Sequence, residues 1–593
     1  MERLLTQFGE KVNKELPLND YPRPQMARDS FQNLNGIWKY AIYNKGEKFT
    51  NGYDGEIVVP FSPESLLSGV ERVVTPKDEL RYHRSFDFKK ENDVQLLHFG
   101  AVDYIATVYI NGKNLGTHTG GYYPFSFDIT DVLKEGKNDI DVVVTDPSET
   151  GTQARGKQTS KRGGIWYTPS SGIWQTVWIE QVPASYIVGI KLTPDIDKEE
   201  LNVKVTYSQE VMPTTISVFD GEDLITTVQT DSGDCDIKIP NAKLWSPEDP
   251  FLYNLVITSE KDEVKSYFGM RKFSTGKDKN GFTRLMLNNK PYFHNGLLDQ
   301  GYWSDGMYTA PTDEAMIYDI QSMKDLGFNM LRKHIKIEPL RWYYHCDRLG
   351  MLVWQDMISG GGIYSMSAIA LVPGIDLFLN TKISRRDDTE KNYGFFARED
   401  KQGRDEYYED SERMVNLLYN AVSIALWVPF NEGWGQFDAL KAEEFYRKLD
   451  PTRLIDHASG WHDQGGGDLN SFHIYMSPFW FPKFKKNGFK DERAIALTEY
   501  GGYSYKVEGH VFNPNKVFGY RVYKTKEDYE KAMTKLFGKM AVLTQTKGLS
   551  ALVYTEVSDV EDELNGLFTY DRRVLKIDPE LMKSLNEEIK LED

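Results

Sequence analysis

The first third of the chain alternates apolar and polar residues, which is typical of β-strands with one buried face. Within residues 26–182 the alternation is clearest in Ala106–Ile110 and Asp139–Val144, and the Asn111-Gly112 pair after the first of them is typical of a tight hairpin turn. Antiparallel strands joined by short turns commonly bury one face against a second sheet. The pattern therefore predicts a β-sandwich over residues 1–183.

A second all-β segment follows, over residues 187–273. Its candidate strands, Leu201–Tyr207 and Thr215–Val218, alternate in the same way. A segment of about ninety residues with this pattern has the size of an immunoglobulin-like sandwich. We therefore predict such a domain over residues 184–275.

After about Gly281 the period changes, and helices begin to alternate with short apolar strands. Thr312 is a suitable N-cap for a helix to about Leu326, and Gly327 ends that helix before a strand over 329–332. The same unit recurs, with helices over 342–349, 410–421, 437–449 and 526–546 and strands over 351–354, 454–456 and 551–554. Repeated βα units over roughly 310 residues predict a (β/α)8 TIM barrel over residues 276–593, with its active site at the carboxyl ends of the strands.

One segment does not fit the repeat. Residues 360–410 begin with three consecutive glycines and end in a charged run. Loops of this length are usually functional or disordered. The apolar middle of the segment, residues 369–378, favours packing on the barrel or on a partner subunit.

Two apolar runs in the barrel region end in a glutamate. Residues 424–430 lead into Asn431-Glu432-Gly433, and Ala494–Leu497 leads into Thr498-Glu499-Tyr500 and two glycines. A retaining glycosidase needs one carboxylate as nucleophile and one carboxylic acid as proton donor, about 5–5.5 Å apart. Neighbouring strands of a parallel barrel can supply that spacing. A single glutamate after an apolar run would more simply cap a strand, but two of them predict paired-carboxylate chemistry.

The composition of the chain indicates which partners are disfavoured and in which compartment we expect the protein. Acidic residues outnumber basic ones, 88 to 71, and the net charge of −17 disfavours nucleic acid or an anionic membrane as a partner. Residues 1–6 do not lead into an apolar segment of signal-peptide length, and no later run of about 18 apolar residues predicts a membrane span. Cys235 and Cys346 fall in different predicted domains, so we expect free thiols in a soluble, cytoplasmic protein.

Further motifs occur in order along the chain, namely Ser171–Trp178, then Leu244–Pro247 with Phe268–Arg271, and finally Asn565–Arg572. Together with the two glutamate motifs they resemble glycoside hydrolase family 2. The first resembles the close of that family's N-terminal sugar-binding domain, the next two its middle domain, and the last its barrel-closing segment. The resemblance covers nearly the whole chain and implies a jelly-roll β-sandwich, an immunoglobulin-like sandwich and a catalytic TIM barrel.

The resemblance also implies roles for residues at the strand ends. Glu432 matches the family's acid/base and Glu499 its nucleophile. Arg332 matches an arginine near the nucleophile, where a fixed cation would keep a carboxylate ionised. Asn431 matches an amide that holds the sugar 2-hydroxyl, and Tyr475 matches a tyrosine that donates to the nucleophile. The plainer alternatives are an ordinary ion pair, a turn-forming asparagine and an aromatic core residue.

Six further residues are candidates by position. Carboxylates at the ends of the first, third and eighth strands could hold sugar hydroxyls, although surface solvation explains them nearly as well; they are Asp299, Asp356 and Glu556. Indoles in loops after strands could stack on sugar faces or simply pack, and these are Trp303, Trp434 and Trp461.

The sequence departs from the well-known β-galactosidases of the family at their metal site. Their His-rich segment after the first barrel strand is replaced by residues 296–303, and their Glu and His ligands after the third strand are replaced by Gln355-Asp356-Met357. We therefore expect no metal and no other cofactor. The pKa of Glu432 would instead be raised by burial and by the charge of Glu499.

The resulting hypothesis is a retaining exo-β-glycosidase that acts on a glycoside through a covalent glycosyl-enzyme. A β-galactoside is the leading substrate because it is common in the family, while β-mannosidase, β-glucuronidase and α-L-arabinopyranosidase remain open. The Asn-x-Lys element with which β-glucuronidases hold a carboxylate has no clear match after the seventh strand, although Lys157 could substitute. A non-catalytic carbohydrate-binding protein is the alternative from a different class, and both glutamates disfavour it. Homo-oligomers are frequent in the family, so a homo-oligomer is a further expectation.

Overall fold

The computed structural model describes residues 4–379, 385–476, 478–483 and 491–591. In chain order these residues form an antiparallel β-sandwich, a second and smaller β-sandwich, and a parallel barrel surrounded by helices. The fold class predicted from the sequence is therefore confirmed.

The N-terminal domain packs two antiparallel sheets face to face. Along Gly136–Thr145 buried and less buried residues alternate, so one face of the sheet lies in a core that includes Trp38, Tyr82 and Phe99. The larger sheet contains, in spatial order, Gly55–Val59, Gly36–Asn44, Asp78–Phe88, Gly136–Thr145, Ile105–Ile110 and Lys113–Thr119. The smaller sheet contains Gln32–Asn33, Val177–Val182, Val94–Phe99 and Phe125–Asp128, and a separate pair joins Gly172–Ile173 to Val102–Asp103.

The predicted hairpin turn is present. Asn111 and Gly112 both have positive φ, 51° and 79°, and they join Ile105–Ile110 to Lys113–Thr119. Asparagine and glycine tolerate this left-handed conformation better than other residues, which is why the pair was informative in the sequence.

The middle domain is an immunoglobulin-like sandwich. Its three-stranded sheet contains Ile187–Asp195, Glu200–Tyr207 and Asp234–Lys238, and its four-stranded sheet contains Asp223–Thr230, Thr214–Asp220, Tyr253–Ser259 and Asp262–Phe268. The fully buried Trp245 donates from Nε1 to the carbonyl of Asp347 in the barrel, at 2.7 Å. This buried contact ties the middle domain to the barrel.

Eight parallel strands form the barrel, after a small antiparallel sheet of Phe273–Lys277, Thr283–Leu287 and Lys290–Pro291. In chain order the barrel strands are His294–Asp299, Met330–Lys333, Leu352–Asp356, Ile424–Val428, Leu454–Ile455, Leu469–Ile474, Ala494–Gly501 and Leu549–Thr555. The sheet runs continuously from the fifth strand through the first to the eighth, seventh and sixth, so the barrel is closed except between the fifth and sixth strands. All eight strands therefore point their carboxyl ends to the same rim.

The barrel helices follow the sequence prediction with one difference. The predicted cap at Thr312 accepts from the N–H of Ala315, but the helix expected from residue 410 begins at Lys401, because Asp400 caps it through the N–H groups of Gln402 and Gly403. The main helices are Asp313–Asp325, Leu340–Leu349, Lys401–Leu418, Ala439–Leu449, Lys526–Lys547 and Pro579–Glu587. The shorter ones are Gly9–Lys11, Pro24–Met26, Ser367–Leu371, Val372–Leu379 and Glu390–Phe395, and a small sheet pairs Tyr503–Tyr505 with Arg521–Tyr523.

The irregular segment 360–410 is largely helical where it is described. Within the predicted stretch 369–378, Leu371 and Ile375 are 60% and 41% exposed, whereas Pro373 is buried. The side chains of Leu371 and Ile375 therefore do not pack on the barrel, and packing of the stretch as a whole stays a prediction. Packing on a partner subunit stays a prediction.

A loop of the N-terminal domain, residues 146–171, lies over the rim of the barrel. The N–H groups of Arg155 and Gly156 donate to the carbonyl of Ser359, at 3.0 and 2.9 Å, and the hydroxyl of Tyr167 donates to Glu563. Residues from two domains therefore surround the carboxyl ends of the strands.

Two smaller expectations can be compared with the described residues. Cys235 and Cys346 are both free, as predicted. Among the helices that the structure describes, none combines the length and apolar character that a bilayer crossing requires.

Candidate active site

Glu432 is presented by a sharp turn after the buried fourth strand. Its backbone is left-handed, with φ of 52°, and Gly433 follows with φ of 73°. A Cβ atom on Gly433 would lie 2.7 Å from the ring of His462, so the turn requires glycine there. The N–H of Glu432 donates to the carbonyl of Ser459 at 3.0 Å. A strained conformation held in this way is common at functional sites.

Glu499 lies in the seventh strand, close to its carboxyl end. The fourth and seventh strands are not adjacent in the sheet, so the expectation that neighbouring strands supply the pair is wrong. The pair forms because the turn carrying Glu432 lies over the mouth of the barrel. A carboxylate oxygen of Glu432 lies within 4.8 Å of one of Glu499, and the two residues are only 6% and 4% exposed.

The buried guanidinium of Arg332 joins the two glutamate motifs. It donates to the side-chain oxygen of Asn431 at 2.8 Å and to the carbonyl of Thr498 at 2.9 Å. Its Nη1 lies 3.4 Å from Oε1 of Glu499, and its Nε donates to Asp356 at 2.9 Å. Arg332 thus lies next to Glu499, as the resemblance implied, and fixes the positions of both motifs.

Tyr475 and Asn431 also lie within the cluster. The hydroxyl of Tyr475 donates to Oε2 of Glu499, and its ring stacks on Tyr520 with the centroids 3.5 Å apart. The side-chain nitrogen of Asn431 is buried and has no hydrogen-bond partner within the described ranges. This nitrogen is an unused donor on the residue that precedes Glu432. Tyr520 was not identified from the sequence, because it lies in a loop with no recognisable pattern.

His473 is the closest neighbour of Glu432, and the sequence analysis gave it no role. Its Nδ1 lies 2.6 Å from Oε1 of Glu432 and 3.6 Å from Oε2 of Glu499. The side chain is fully buried in the sixth strand, two residues before Tyr475. Residues two apart in a strand face the same side, so the tyrosine could have drawn attention to this histidine.

Burial dominates the protonation of the two glutamates. It raises the pKa of Glu432 to about 8, against the opposing charges of Lys157 and Arg332. Burial also raises the pKa of Glu499, and the charge of Glu432 adds to that rise. The effect of burial on Glu432 agrees with the prediction, but the carboxylate whose charge raises its pKa further is Glu563 rather than Glu499.

Two of the predicted sugar contacts are occupied by ion pairs. Asp299 accepts from Lys333 at 2.7 Å and from the N–H of Gly301 at 2.9 Å. Asp356 is fully buried, with one oxygen bound to Arg332 and the other 2.7 Å from Nδ1 of His334. Both oxygens of each aspartate thus have partners that hold the site together, and contact of Asp299 and Asp356 with sugar hydroxyls stays a prediction.

Glu556 is different, although it also follows a barrel strand. It is fully buried, and neither of its oxygens has a hydrogen-bond partner among the residues that the structure describes. Burial raises the pKa of this carboxyl well above its usual value, and the charge of Glu563 adds to the rise. Two carboxyl oxygens without partners at the rim fit the predicted contact with sugar hydroxyls.

Lys157, from the loop of the N-terminal domain, is the second unpaired group of the site. It is 5% exposed, and no ion pair or hydrogen bond of its ammonium group occurs among the described residues. The ammonium lies 5.5 Å from the ring centroid of Tyr167 and 5.9 Å from that of Trp434. Its charge lowers the pKa of Glu556 and of Glu432, in each case against the larger effect of burial.

The predicted tryptophans differ in their surroundings. Trp303 is 4% exposed, and the guanidinium of Arg572 lies 4.4 Å from its ring centroid, so it is a packing residue rather than a sugar platform. Trp461 is partly exposed, and its ring lies 6.0 Å from that of His473. Its Nε1 has no partner within the described part of the chain. Trp461 therefore remains a candidate for sugar contact.

Trp434 belongs to an aromatic cluster built from three separate segments. Its ring centroid lies 5.1 Å from that of Trp166 and 6.1 Å from that of Tyr364. Trp166 comes from the N-terminal domain and Tyr364 from the irregular segment, and neither was identified from the sequence. Local patterns give no signal for such contacts.

One group of described residues could hold a metal ion in principle. Glu432, His473 and Glu499 each offer a ligand atom, and these atoms all lie within 4.8 Å of one another. Two of the three atoms are already joined by the hydrogen bond between His473 and Glu432. A metal ion held by both carboxylates would also prevent them from acting as nucleophile and proton donor, so we assign no metal here.

A cavity of about 330 Å³ lies elsewhere, where the three domains meet, and is lined by residues such as Arg23, Trp174 and Asn420. Neither Glu432 nor Glu499 lines it. The two glutamates lie at the barrel rim, away from this interdomain cavity.

Models of known families match three successive parts of the chain. The glycosyl hydrolase 2 galactose-binding domain-like model matches residues 68–175, and the glycosyl hydrolases family 2 model matches residues 181–271. The TIM barrel domain model of the same family matches residues 280–590, more than half of the chain. The chain belongs to glycoside hydrolase family 2. The resemblance seen in the sequence motifs is thereby confirmed.

Individual relatives within family 2 differ in the sugar that their names give. A beta-galactosidase of Lactococcus lactis is 27% identical over 402 residues, which are 61% of this chain and 38% of that protein. The matched part of this chain covers between 30% and 58% of the length of the curated relatives.

Solved structures of the family share the fold. A beta-glucuronidase of an uncultured Clostridium sp. has a TM-score of 0.72 at 16% identity, covering 95% of this chain and 98% of that one. A beta-galacturonidase of Eisenbergiella tayi bound to galacturonate has a TM-score of 0.69 at 18% identity, covering 96% and 99%. At these identities the likeness shows the fold alone.

Proposed function

We propose that this family 2 member is a retaining exo-β-glycosidase, with Glu499 as nucleophile and Glu432 as acid/base. The observation that carries the proposal is the proximity of the two carboxylates, since one oxygen of each lies within 4.8 Å of the other, which suits direct attack on the sugar better than the wider spacing of an inverting mechanism. The charge of Arg332, 3.4 Å from Glu499, lowers the pKa of that carboxyl group against the raising effect of burial. Burial raises the pKa of Glu432 to about 8, which keeps it protonated near neutral pH.

The chemistry then proceeds in two balanced steps. A carboxylate oxygen of Glu499 bonds to the anomeric carbon while the bond to the leaving oxygen breaks, and Glu432 gives its proton to that oxygen. In the second step a water molecule gives a proton to the carboxylate of Glu432, its oxygen bonds to the anomeric carbon, and the ester bond to Glu499 breaks. The tyrosine hydroxyl of Tyr475 releases Glu499 from its hydrogen bond as the ester forms.

The free groups of the site favour a neutral sugar. Glu556 offers two oxygens without partners and Asn431 one donor nitrogen, and both suit hydroxyl groups. A sugar carboxylate near Glu563, whose charge raises the pKa of Glu556, would meet like charge, which is unfavourable in a buried site. We therefore keep a β-galactoside as the leading substrate.

A β-uronide is the second candidate, and Lys157 is the observation that favours it. A buried ammonium group without an ion pair among the described residues could bind a sugar carboxylate. Solved structures with the same fold include a protein titled as a beta-galacturonidase bound to galacturonate.

A panel of 4-nitrophenyl glycosides tests the function and the sugar together. We expect hydrolysis of the β-galactoside, and proton NMR of the first product formed should show the β-anomer. The panel includes the β-mannoside, β-glucuronide, β-galacturonide and α-L-arabinopyranoside. Preference for a uronide, with a large rise in KM for that substrate in Lys157→Met, would establish the second candidate. An α-anomer would contradict retention, and no hydrolysis of any member would favour a non-catalytic sugar-binding protein.

Metal independence is a separate prediction. The residues on either side of Glu432 are Asn431 and Gly433, which add no charge, and both oxygens of Asp356 have partners in Arg332 and His334, so the carboxylate after the third strand is not free for an octahedral Mg²⁺ site. We expect the hydrolysis rate to be essentially unchanged after dialysis against EDTA. A large loss that added Mg²⁺ restores would contradict this and would make Asp356 a metal ligand.

A further inference from the structure

His473 lies between the two glutamates and faces both of them through one nitrogen. Its Nδ1 is 2.6 Å from Oε1 of Glu432 and 3.6 Å from Oε2 of Glu499. Both neighbours of Nδ1 are carboxylate oxygens, which accept hydrogen bonds when ionised. A lone pair at Nδ1 would meet the negative charge of Glu499, so this nitrogen is the one that carries the hydrogen.

The other ring nitrogen faces the guanidinium of Arg332. Nε2 lies 3.4 Å from Nη1 of Arg332 and 3.2 Å from the hydroxyl of Ser459, whose hydrogen goes to Oγ1 of Thr498 at 2.9 Å. A guanidinium group can only donate, so a hydrogen on Nε2 would point at another donor. The guanidinium beside Nε2 and the carboxylates beside Nδ1 therefore favour the same neutral tautomer, with hydrogen on Nδ1 and a lone pair on Nε2.

Charged groups surround the imidazole on several strands. Burial lowers its pKa to about 4, with Glu499 acting in the opposite direction and Arg332 in the same one. The titratable and charged groups that face it or act on it are Glu432, Glu499, Arg332, His334, Asp356 and Asp456. With the imidazole neutral, the hydrogen bond to Glu432 is made by an N–H donor in both protonation states of the carboxyl group.

We infer that His473 is a positioning residue, which rests on the proposed function. Its Nδ1–H holds Oε1 of Glu432, so that the other oxygen, Oε2, faces the glycosidic bond, first as proton donor and then as base. A hydrogen bond to the ionised form of a carboxyl group stabilises that form. His473 thereby supports the carboxylate of Glu432 in the second step, when it accepts a proton from water.

Two substitutions at position 473 separate positioning from packing. His473→Asn keeps an N–H donor close to the place of Nδ1, whereas His473→Leu removes it at similar volume. We expect His473→Leu to lower kcat about 10- to 100-fold, the range for loss of a hydrogen bond to a charged group. Because the ionised form of Glu432 loses support, the alkaline limb of kcat/KM should move to higher pH. The kcat of His473→Asn should stay within a few-fold of the wild-type value, and the alkaline limb of its kcat/KM should lie at the same pH as in the wild type.

Burst kinetics give a second readout. With 2,4-dinitrophenyl glycoside, His473→Leu should release a burst of dinitrophenol, because the base-assisted second step becomes limiting. The matched control is His294→Leu, a fully buried histidine at the start of the first strand that accepts from Trp354. This control should leave the alkaline limb where it is. If the alkaline limb of kcat/KM lies at the same pH in His473→Asn and His473→Leu, and both release the same burst of dinitrophenol, the inference is overturned.

Nitrogen-15 NMR of the wild-type protein tests the tautomer without any activity. The ring of His473, assigned by its absence in His473→Asn, should show a protonated Nδ1 and an unprotonated Nε2. The opposite tautomer would overturn the inference even if the variants failed to fold. If the wild-type protein hydrolyses none of the glycosides but the tautomer is as expected, the proposed function fails and the positioning geometry stands.

Discussion

Glu499→Ala should lower kcat for an aryl glycoside by at least about 10⁴-fold, because the group that bonds to the anomeric carbon is lost. The structure gives no substitute nucleophile from Arg332 or Tyr475, the two groups that contact Glu499. Azide can then enter and attack directly, so a β-glycoside should yield the α-glycosyl azide. Steady-state rates and NMR of the azide product check the result.

The control for this experiment is Glu444→Gln, which removes an exposed glutamate from the helix Ala439–Leu449. Its kcat should equal that of the wild type. A β-glycosyl azide from Glu499→Ala would instead mean that Glu499 is the acid/base, and the two roles would have to be exchanged.

The loss of kcat/KM in Glu432→Ala should depend on the leaving group of the substrate. For an alkyl glycoside, which needs a proton on the leaving oxygen, kcat/KM should fall about 10²- to 10⁴-fold. For a 2,4-dinitrophenyl glycoside it should fall less than about tenfold, because this leaving group departs without protonation. Azide should then speed release of the sugar from Glu499 and yield the β-glycosyl azide.

The same variant should also differ from the wild type in the pH dependence of its activity. Activity of the wild-type protein requires protonated Glu432, and its pKa is raised to about 8, so activity should be retained through neutral pH and fall as the pH rises through about 8. With the alkyl glycoside, which needs the proton, the alkaline limb that the wild type shows should be absent from the residual activity of Glu432→Ala. A limb that persists unchanged would show that another group titrates there.

The positions of the two glutamates could be predicted from the sequence, because each follows an apolar run and the strands of a barrel all end at one rim. The order of the strands around the barrel could not be predicted. The sequence therefore did not show that Glu432 and Glu499 come from strands that are not neighbours in the sheet. The sequence analysis also placed the start of the long helix at residue 410, whereas the helix begins at Lys401. Its N-cap Asp400 lies in a charged run that has the composition of a loop.

Local sequence patterns do not show which side chains from different strands contact one another. Asp299, Asp356 and Glu556 occupy equivalent positions after barrel strands, yet the two aspartates are neutralised by Lys333, Arg332 and His334 while Glu556 has free oxygens. Nothing near Glu556 in the sequence distinguishes it. The same holds for His473, whose partner Glu432 comes from another strand end.

The loop 146–171 reaches the rim from a domain that contains neither glutamate. A barrel that has folded without this cover already possesses both reactive carboxyl groups, but not Lys157, the ring of Trp166, or the hydrogen bond of Tyr167 to Glu563. On the proposed function, part of the sugar selectivity would lie in a segment of the chain separate from the two carboxyl groups. Substitutions in this loop would then change which sugar is accepted while Glu432 and Glu499 stay in place, which gives this architecture a simple evolutionary route to new substrates.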